Sequence, residues 1–417
     1  MATLTPPGQH DTDPDAGYWA EDLLGGGARF RAKIGGLHCS LCTGTSELTP
    51  GWPGRSASTR CTPVCSPEPK PTSSEPSNTM AAWPSARSAP TLRRPASPST
   101  GLAASAMPTV LVVSDAEVRR LLDVEELAVA LEEALVALCA GEVSVPPRVA
   151  ARTPAGLLGS MPGYLPGAGL AAKLVSVYPS NPAVGLPSHQ AVIAVFDEAT
   201  GSPVAFLAGT WITAIRTAVT SVVAARALSP ADGPVAVLGA GVQGDAHLEA
   251  AAALLPSRPR RLWARNKAAA AALAARRDAT VVEPTAEAAV RGAAVVLCCT
   301  DAREPLLEDA WVGPGAHVGS VGTGAELPPE LLSRARVVVE SRAASLPPPA
   351  GAVELQGWPD EALTELGEIA GGRAVQRAGP EQVTVFKSTG HAVEDVAAAA
   401  VVLRRARAEG VGRSIDL

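Results

Sequence analysis

Between Pro234 and Leu255 the chain reads as an apolar strand, a glycine turn and an alanine-rich helix, an order that constrains everything around it. The run Val235, Ala236, Val237, Leu238 suits a strand buried on both faces. Gly239, Gly241 and Gly244 follow in the spacing G-x-G-x-x-G. The first allows a tight turn, the second lets backbone approach a pyrophosphate, and the third lets the helix pack closely on the strand. A helix expected from Asp245 to Leu255 presents free N–H groups at its start, where phosphate binds. Val242 and Gln243, lying between the glycines, are expected to line the same site. The stretch therefore predicts a Rossmann-type dinucleotide site.

A site that prefers NAD carries Asp or Glu about 20 residues further on, at the end of the second strand. Here the chain reads Arg261-Leu-Trp-Ala-Arg265-Asn266-Lys267. The Arg265 guanidinium can fork onto a 2′-phosphate, with Asn266 beside it and Lys267 adding charge, so NADPH is the expected cofactor. Further strands are expected at 280–282, 294–300, 317–321 and 336–341, alternating with helical stretches such as one capped by Thr285. That alternation predicts a parallel sheet whose ligands lie at the carboxyl ends of the strands, where Thr300, Val321, Gly322 and Ser341 fall.

The 417 residues and 47% apolar content allow two or three domains with real cores. Residues 1–106 are rich in Ser, Pro, Thr, Ala and Arg and lack a period of 2 or 3.6, which predicts a disordered tail. Residues 107–228 read as a substrate and dimerisation domain: Ser114 and Glu117 form a capping box, a helix runs from Val124 to Cys139, and strands follow near 171–178, 190–197 and 203–207. A helix from Thr213 to Ala227 leads into the NADP-binding domain, residues 229–383, and residues 384–417 are expected to complete the first domain. A net charge of −6 argues against nucleic acid, and no charge-free apolar run of about 18 residues suggests a membrane span, so the expected compartment is the cytoplasm. The pairs Cys39/Cys42 and Cys61/Cys65 have zinc-like spacing, but residues 43–60 carry few apolar packing residues, so no metal is expected.

With these motifs placed, residues from about Pro108 to Arg407 resemble the ornithine cyclodeaminase and mu-crystallin family. The resemblance is carried by Pro187-Ser-His-Gln-Ala191, Ile212-Thr-Ala-Ile-Arg216-Thr-Ala218, Leu238-Gly-Ala-Gly-Val-Gln243, Glu365-Leu-Gly-Glu-Ile369, Thr384-Val-Phe-Lys-Ser-Thr-Gly390 and Val393-Glu-Asp395. It implies a Rossmann domain plus a discontinuous α/β domain, a homodimer, and reduction of a small cyclic imine carboxylate by NADPH. By position it implies Arg216 near the cofactor phosphates, and Lys173 and Arg148 as catalytic cations that meet the substrate carboxylate. Lys173 also stands out by itself, because an ammonium inside an apolar strand is costly without a purpose. The family includes a thyroid-hormone carrier and lens protein, so the resemblance also implies thyroid hormone as an alternative ligand; ornithine cyclodeaminase and alanine dehydrogenase activities are the further alternatives. Against the family pattern, the loop Gly322-Thr-Gly-Ala-Glu326 is short and lacks the cyclodeaminase Asp. Pro349-Ala-Gly351-Ala352 has lost two carboxylates, and Ala208-Gly209 a third. His189 and His391 are read as packing or loop residues.

Overall fold

In the computed structural model, residues 109–229, 232–322, 324–347 and 351–417 are described, together with the backbone of three earlier strands. Those strands, Gly17–Leu23, Gly27–Ile34 and Leu37–Cys42, pair antiparallel in sequence order. The disordered reading of residues 1–106 otherwise falls outside the described residues, as do the side chains of the zinc-spaced cysteines.

The strand Val235–Leu238 is fully buried and sits inside an eight-stranded sheet. Across the sheet the order is Thr280–Val282, Arg260–Trp263, Val235–Leu238, Val295–Cys298, His317–Ser320, Thr384–Lys387, Arg336–Val339 and Leu363–Glu365, and every neighbouring pair is parallel. Strand order reverses between Val235–Leu238 and Val295–Cys298, the place where such sheets open a ligand crevice. The strand Thr384–Lys387 departs from the expected division at residue 384. It lies between His317–Ser320 and Arg336–Val339, with Val385 in the core of the parallel sheet and Phe386 packed toward Leu135, Ala224 and Leu228 of the first domain's helices.

The second sheet has seven strands in the order Arg413–Asp416, Thr109–Val113, Pro203–Ala208, His189–Phe196, Gly169–Val177, Leu157–Leu165 and Val149–Arg152. The last two strands fall in a Gly- and Pro-rich stretch where the sequence predicts none. Tyr164 turns its N–H away from Gly169–Val177 to reach Ser144, so Pro162, of the same parity, points its missing N–H the same way. It lies beyond the reach of Val149–Arg152, and no ladder bond is lost there. Gly163 lets the helix Ala392–Glu409 approach, since a Cβ there would stand 3.1 Å from Val396.

Helices Asp115–Leu121, Val124–Ala140, Gly209–Leu228 and Ala392–Glu409 share one core with this sheet. Ser114 caps the first through the expected capping box. Gly209–Leu228 packs against strands of both sheets, which is why it is buried along nearly its whole length. By length and composition it could cross a membrane, yet most of it is buried in the fold.

The fingerprint glycines yield a contrast. A Cβ at Gly244 would lie 2.0 Å from the Gly239 carbonyl oxygen, whereas one at Gly241 would meet nothing within 4 Å. Gly244→Ala is expected to destabilise the protein by about 1–3 kcal/mol, the usual cost of overpacking, and to lower the thermal midpoint. Gly241→Ala should leave that midpoint unchanged and weaken dinucleotide binding instead.

Candidate functional site

The turn after Val235–Leu238 is built for a close ligand. Gly239 adopts φ +124°, and a side chain there would strike the Cys299 carbonyl at 2.7 Å, so only glycine fits between the two central strands. Gly241 opens the helix Val242–Leu254 with no side-chain cap, leaving the first amides for a phosphate. Val242 is exposed at this mouth, and Gln243 carries a buried Oε1 with no partner among the described residues. The open space over Gly241 and the orphaned Gln243 oxygen both fit a polar ligand lying across the turn.

Gly239 donates its N–H to the Trp263 carbonyl at 2.8 Å, which brings the end of the second strand beside the fingerprint. Arg265 and Lys267 follow there, exposed, and neither forms a hydrogen bond or ion pair among the described residues. Asn266 is engaged elsewhere, since its side chain caps the helix Lys267–Ala274 by accepting from Ala269 N–H at 3.1 Å. Thr300 and Val321 end the next two strands; Thr300 spends its hydroxyl on the buried carboxylate of Glu326, at 2.6 Å.

The structure brings Lys173, Arg216 and Arg148 together. Asp395, in the first turn of Ala392–Glu409, forms an ion pair with Lys173 Nζ at 2.7 Å and accepts from Arg216 Nε at 3.0 Å. Glu394 accepts from Arg216 at 3.0 Å, from the Thr220 hydroxyl at 2.6 Å and from His391 N–H at 2.7 Å. Lys173, Arg216, Glu394 and Asp395 are all buried. Two acidic residues at a helix N-terminus also complement its dipole. Losing one partner of such a buried pair costs about 3–5 kcal/mol, because the other is left uncompensated. Arg216, expected near the cofactor phosphates, has its guanidinium engaged by the two carboxylates of Glu394 and Asp395.

Arg148 differs from the other two cations. It donates to the Thr389 and Gly390 carbonyls at 3.1 and 2.5 Å and has no carboxylate partner among the described residues. Burial and the Arg216 guanidinium lower its proton affinity, yet a guanidinium stays charged. It is therefore the cation of the cluster with charge to spare for an anion. Glu340, missed in the sequence, fixes the turn Arg148 reads, accepting from Ser388 Oγ and from the Thr389 and Gly390 N–H groups. Burial, and then Glu394, push its carboxyl up.

Burial lowers Lys173 to about 8 even though Asp395 holds its ammonium. Burial opposes ionisation of Asp395, but Arg216 and Lys173 outweigh it and hold the carboxyl low. His391 accepts from Val393 N–H at 3.4 Å as the cap of its helix, a structural role matching expectation. His189 is exposed, with Nδ1 3.1 Å from the Ser188 hydroxyl; desolvation and Lys173 lower its pKa. His247 and His317 are core histidines, lowered by burial to about 4 and about 3.

A sequence model of the ornithine cyclodeaminase/mu-crystallin family matches residues 108–410. The mouse ketimine reductase mu-crystallin is 39% identical over 254 residues, spanning 59% of this chain and 80% of the mouse protein. Among solved structures, the Thermococcus litoralis Δ1-pyrroline-2-carboxylate reductase in complex with NADH and L-proline superposes with a TM-score of 0.69 at 30% identity, covering 73% of this chain and all of that one. An archaeal alanine dehydrogenase dimer with bound NAD gives a TM-score of 0.67 at 29% identity, over 74% of this chain and 99% of that one.

The depressed Lys173 titration has a direct consequence. Below about pH 8 its ammonium is present to attract an anion, and above that it is lost. Calorimetric affinity for L-proline in the presence of NADPH is expected to fall as pH passes through about 8, and Lys173→Arg should move that fall to higher pH.

Proposed function

The chain belongs to the ornithine cyclodeaminase/mu-crystallin family, and on that premise we propose that it is an NADPH-dependent reductase of cyclic ketimine carboxylates. The observation that carries the reading is a glycine-turn crevice in the same unit as a buried cation cluster in which Arg148 lacks a carboxylate partner. When bound, the reduced nicotinamide supplies a hydride to the imine carbon. The chain's own residues prepare that carbon. Arg148 offers a two-pronged guanidinium to the substrate carboxylate, fixing the ring in register; such positioning supplies several kcal/mol. Lys173, lowered to about 8, keeps the imine nitrogen protonated and hence a stronger hydride acceptor. The mouse relative's name and the L-proline held by the Thermococcus enzyme, a cyclic amino carboxylate, support this substrate class.

NADPH is preferred over NADH in this reading because Arg265 and Lys267 stand exposed where a carboxylate would bind a free ribose hydroxyl. The Thermococcus and archaeal structures hold NADH and NAD, so the 2′-phosphate preference is a property we assign to this chain's own residues. The absence of carboxylates at Ala208, Pro349 and Ala352 favours, as a second reading, a binding protein with little turnover, for which thyroid hormone is the ligand to try.

A second copy of the chain completes the molecule in this proposal. Leu158, Leu170, Leu174 and Val192 share the face of the seven-stranded sheet opposite the helices, and each is between 37% and 50% exposed. Such a contiguous apolar face marks an interface.

Purified protein is expected to oxidise NADPH when given Δ1-pyrroline-2-carboxylate or Δ1-piperideine-2-carboxylate; binding of NADPH with no oxidation would favour the carrier reading. Arg265→Ala should weaken NADPH about tenfold or more and leave NADH nearly unchanged, as expected when a charge-assisted fork is lost. Leu174→Lys should shift the mass measured by light scattering from dimer to monomer.

A further inference from the structure

Glu326 does not stand out by its place in the sequence, yet its carboxylate is the most heavily used group at the crevice. It is wholly buried. Oε1 accepts from Thr300 N–H at 2.9 Å and Thr300 Oγ1 at 2.6 Å; Oε2 accepts from Ser320 Oγ at 2.7 Å and Gly322 N–H at 2.9 Å. Four charge-assisted bonds thus tie the ends of Val295–Cys298 and His317–Ser320 to one side chain. The main chain of Glu326 is also held, donating to Glu354 at 3.0 Å. Glu354 pairs with the fully buried Lys387 at 2.9 Å, and Lys387 donates in turn to Ser320 Oγ at 2.9 Å and the Gly322 carbonyl at 2.6 Å. Gly322 leaves room for the arrangement, since a Cβ there would lie 2.6 Å from the carboxylate.

The clamp reaches the fingerprint as well. Thr300 Cγ2 and the Cys299 carbonyl flank Gly239 closely enough that any side chain at 239 would collide with both. One carboxylate therefore sets the spacing between the fingerprint turn, Thr300 and the Val321–Gly322 rim. These are the groups at the carboxyl ends of the central strands, away from the adenosine end of the crevice marked by Arg265.

We propose that Glu326 is a positioning residue that shapes the seat of the nicotinamide end of the dinucleotide, acting through Thr300 and Gly322. The inference rests on the dinucleotide reading of the crevice. In Glu326→Gln, an amide NH2 must face Thr300 or Ser320 and Gly322, so one of the two loop ends is released while volume is kept.

Calorimetry on the full chain with two ligands tests this. NADPH carries both ends of the dinucleotide, and 2′-phospho-ADP-ribose lacks the nicotinamide. For Glu326→Gln, the Kd for NADPH is expected to rise about tenfold and that for 2′-phospho-ADP-ribose to stay within about twofold. Thr300→Val, which removes one of the four bonds, should shift the NADPH value in the same direction by less, and serves if the glutamine variant fails to fold. Equal weakening of both ligands, no change in either, or a wild type that gains nothing from the nicotinamide would each overturn the proposal. A wild type that shows this pattern but reduces no cyclic imine would overturn the catalytic reading alone.

Discussion

Asp395 is the constraint on which the two halves of the site depend. It comes from the helix that follows the last-entering strand of the parallel sheet, and it grips Lys173 from the seven-stranded sheet and Arg216 from the central helix. Ions taken fully out of water are tolerated only when each lone pair and proton finds a partner. That requirement couples three segments distant in sequence. The turn Ser388–Gly390 must hold its shape for Asp395 to arrive, and Glu340 holds it from the end of Arg336–Val339. The carbonyls freed by that turn then orient Arg148. The spare positive charge of the site is in this sense a product of the parallel sheet, although Arg148 belongs to a loop of the other sheet.

The fingerprint could be read in the sequence because its constraints are local. Gly239, Gly241 and Gly244 act within six residues, and each serves a contact that the spacing already implies. Lys173 could be read for a different reason: a charge in an apolar strand signals burial with a partner. The same reasoning applied to Lys387, one residue after the apolar Val385 and Phe386, would have flagged a second buried cation. Asp395 and Glu394 lie within a family motif, but their partners are some 170 to 220 positions earlier, and no periodicity carries that pairing. Glu326 is hidden more deeply, in a short glycine loop whose hydrogen bonds run to Thr300 and Ser320. The strand Leu157–Leu165 is masked by Pro162 and two glycines, residues that normally argue against a strand and are tolerated here by an unpaired outward side and a close helix.

The charges that remain also bear on which chemistry the site can support. Reducing a preformed cyclic imine needs an anion clamp, a protonated nitrogen and a hydride donor; it asks no carboxylate to remove a proton from carbon or nitrogen first. Cyclodeamination asks for more, since an amine must be oxidised, a second amine must add to the imine and ammonia must leave, each with its own proton transfers. In this chain the buried carboxylates named here are engaged in the fold, while Asp301, one residue past Thr300, is exposed and pairs with nothing among the described residues. Glu326 accepts four hydrogen bonds, Glu354 neutralises Lys387, Glu340 secures a turn, and Glu394 and Asp395 neutralise Arg216 and Lys173. A carboxylate that accepts four hydrogen bonds, as Glu326 does, is a poor base, because proton uptake would break the bonds that hold it. The loop at 322–326 contains no Asp, and Ala352 is fully buried. With these buried acids holding the fold and Arg148 without a carboxylate partner among the described residues, the site is matched to an anionic electrophile that arrives ready to accept hydride.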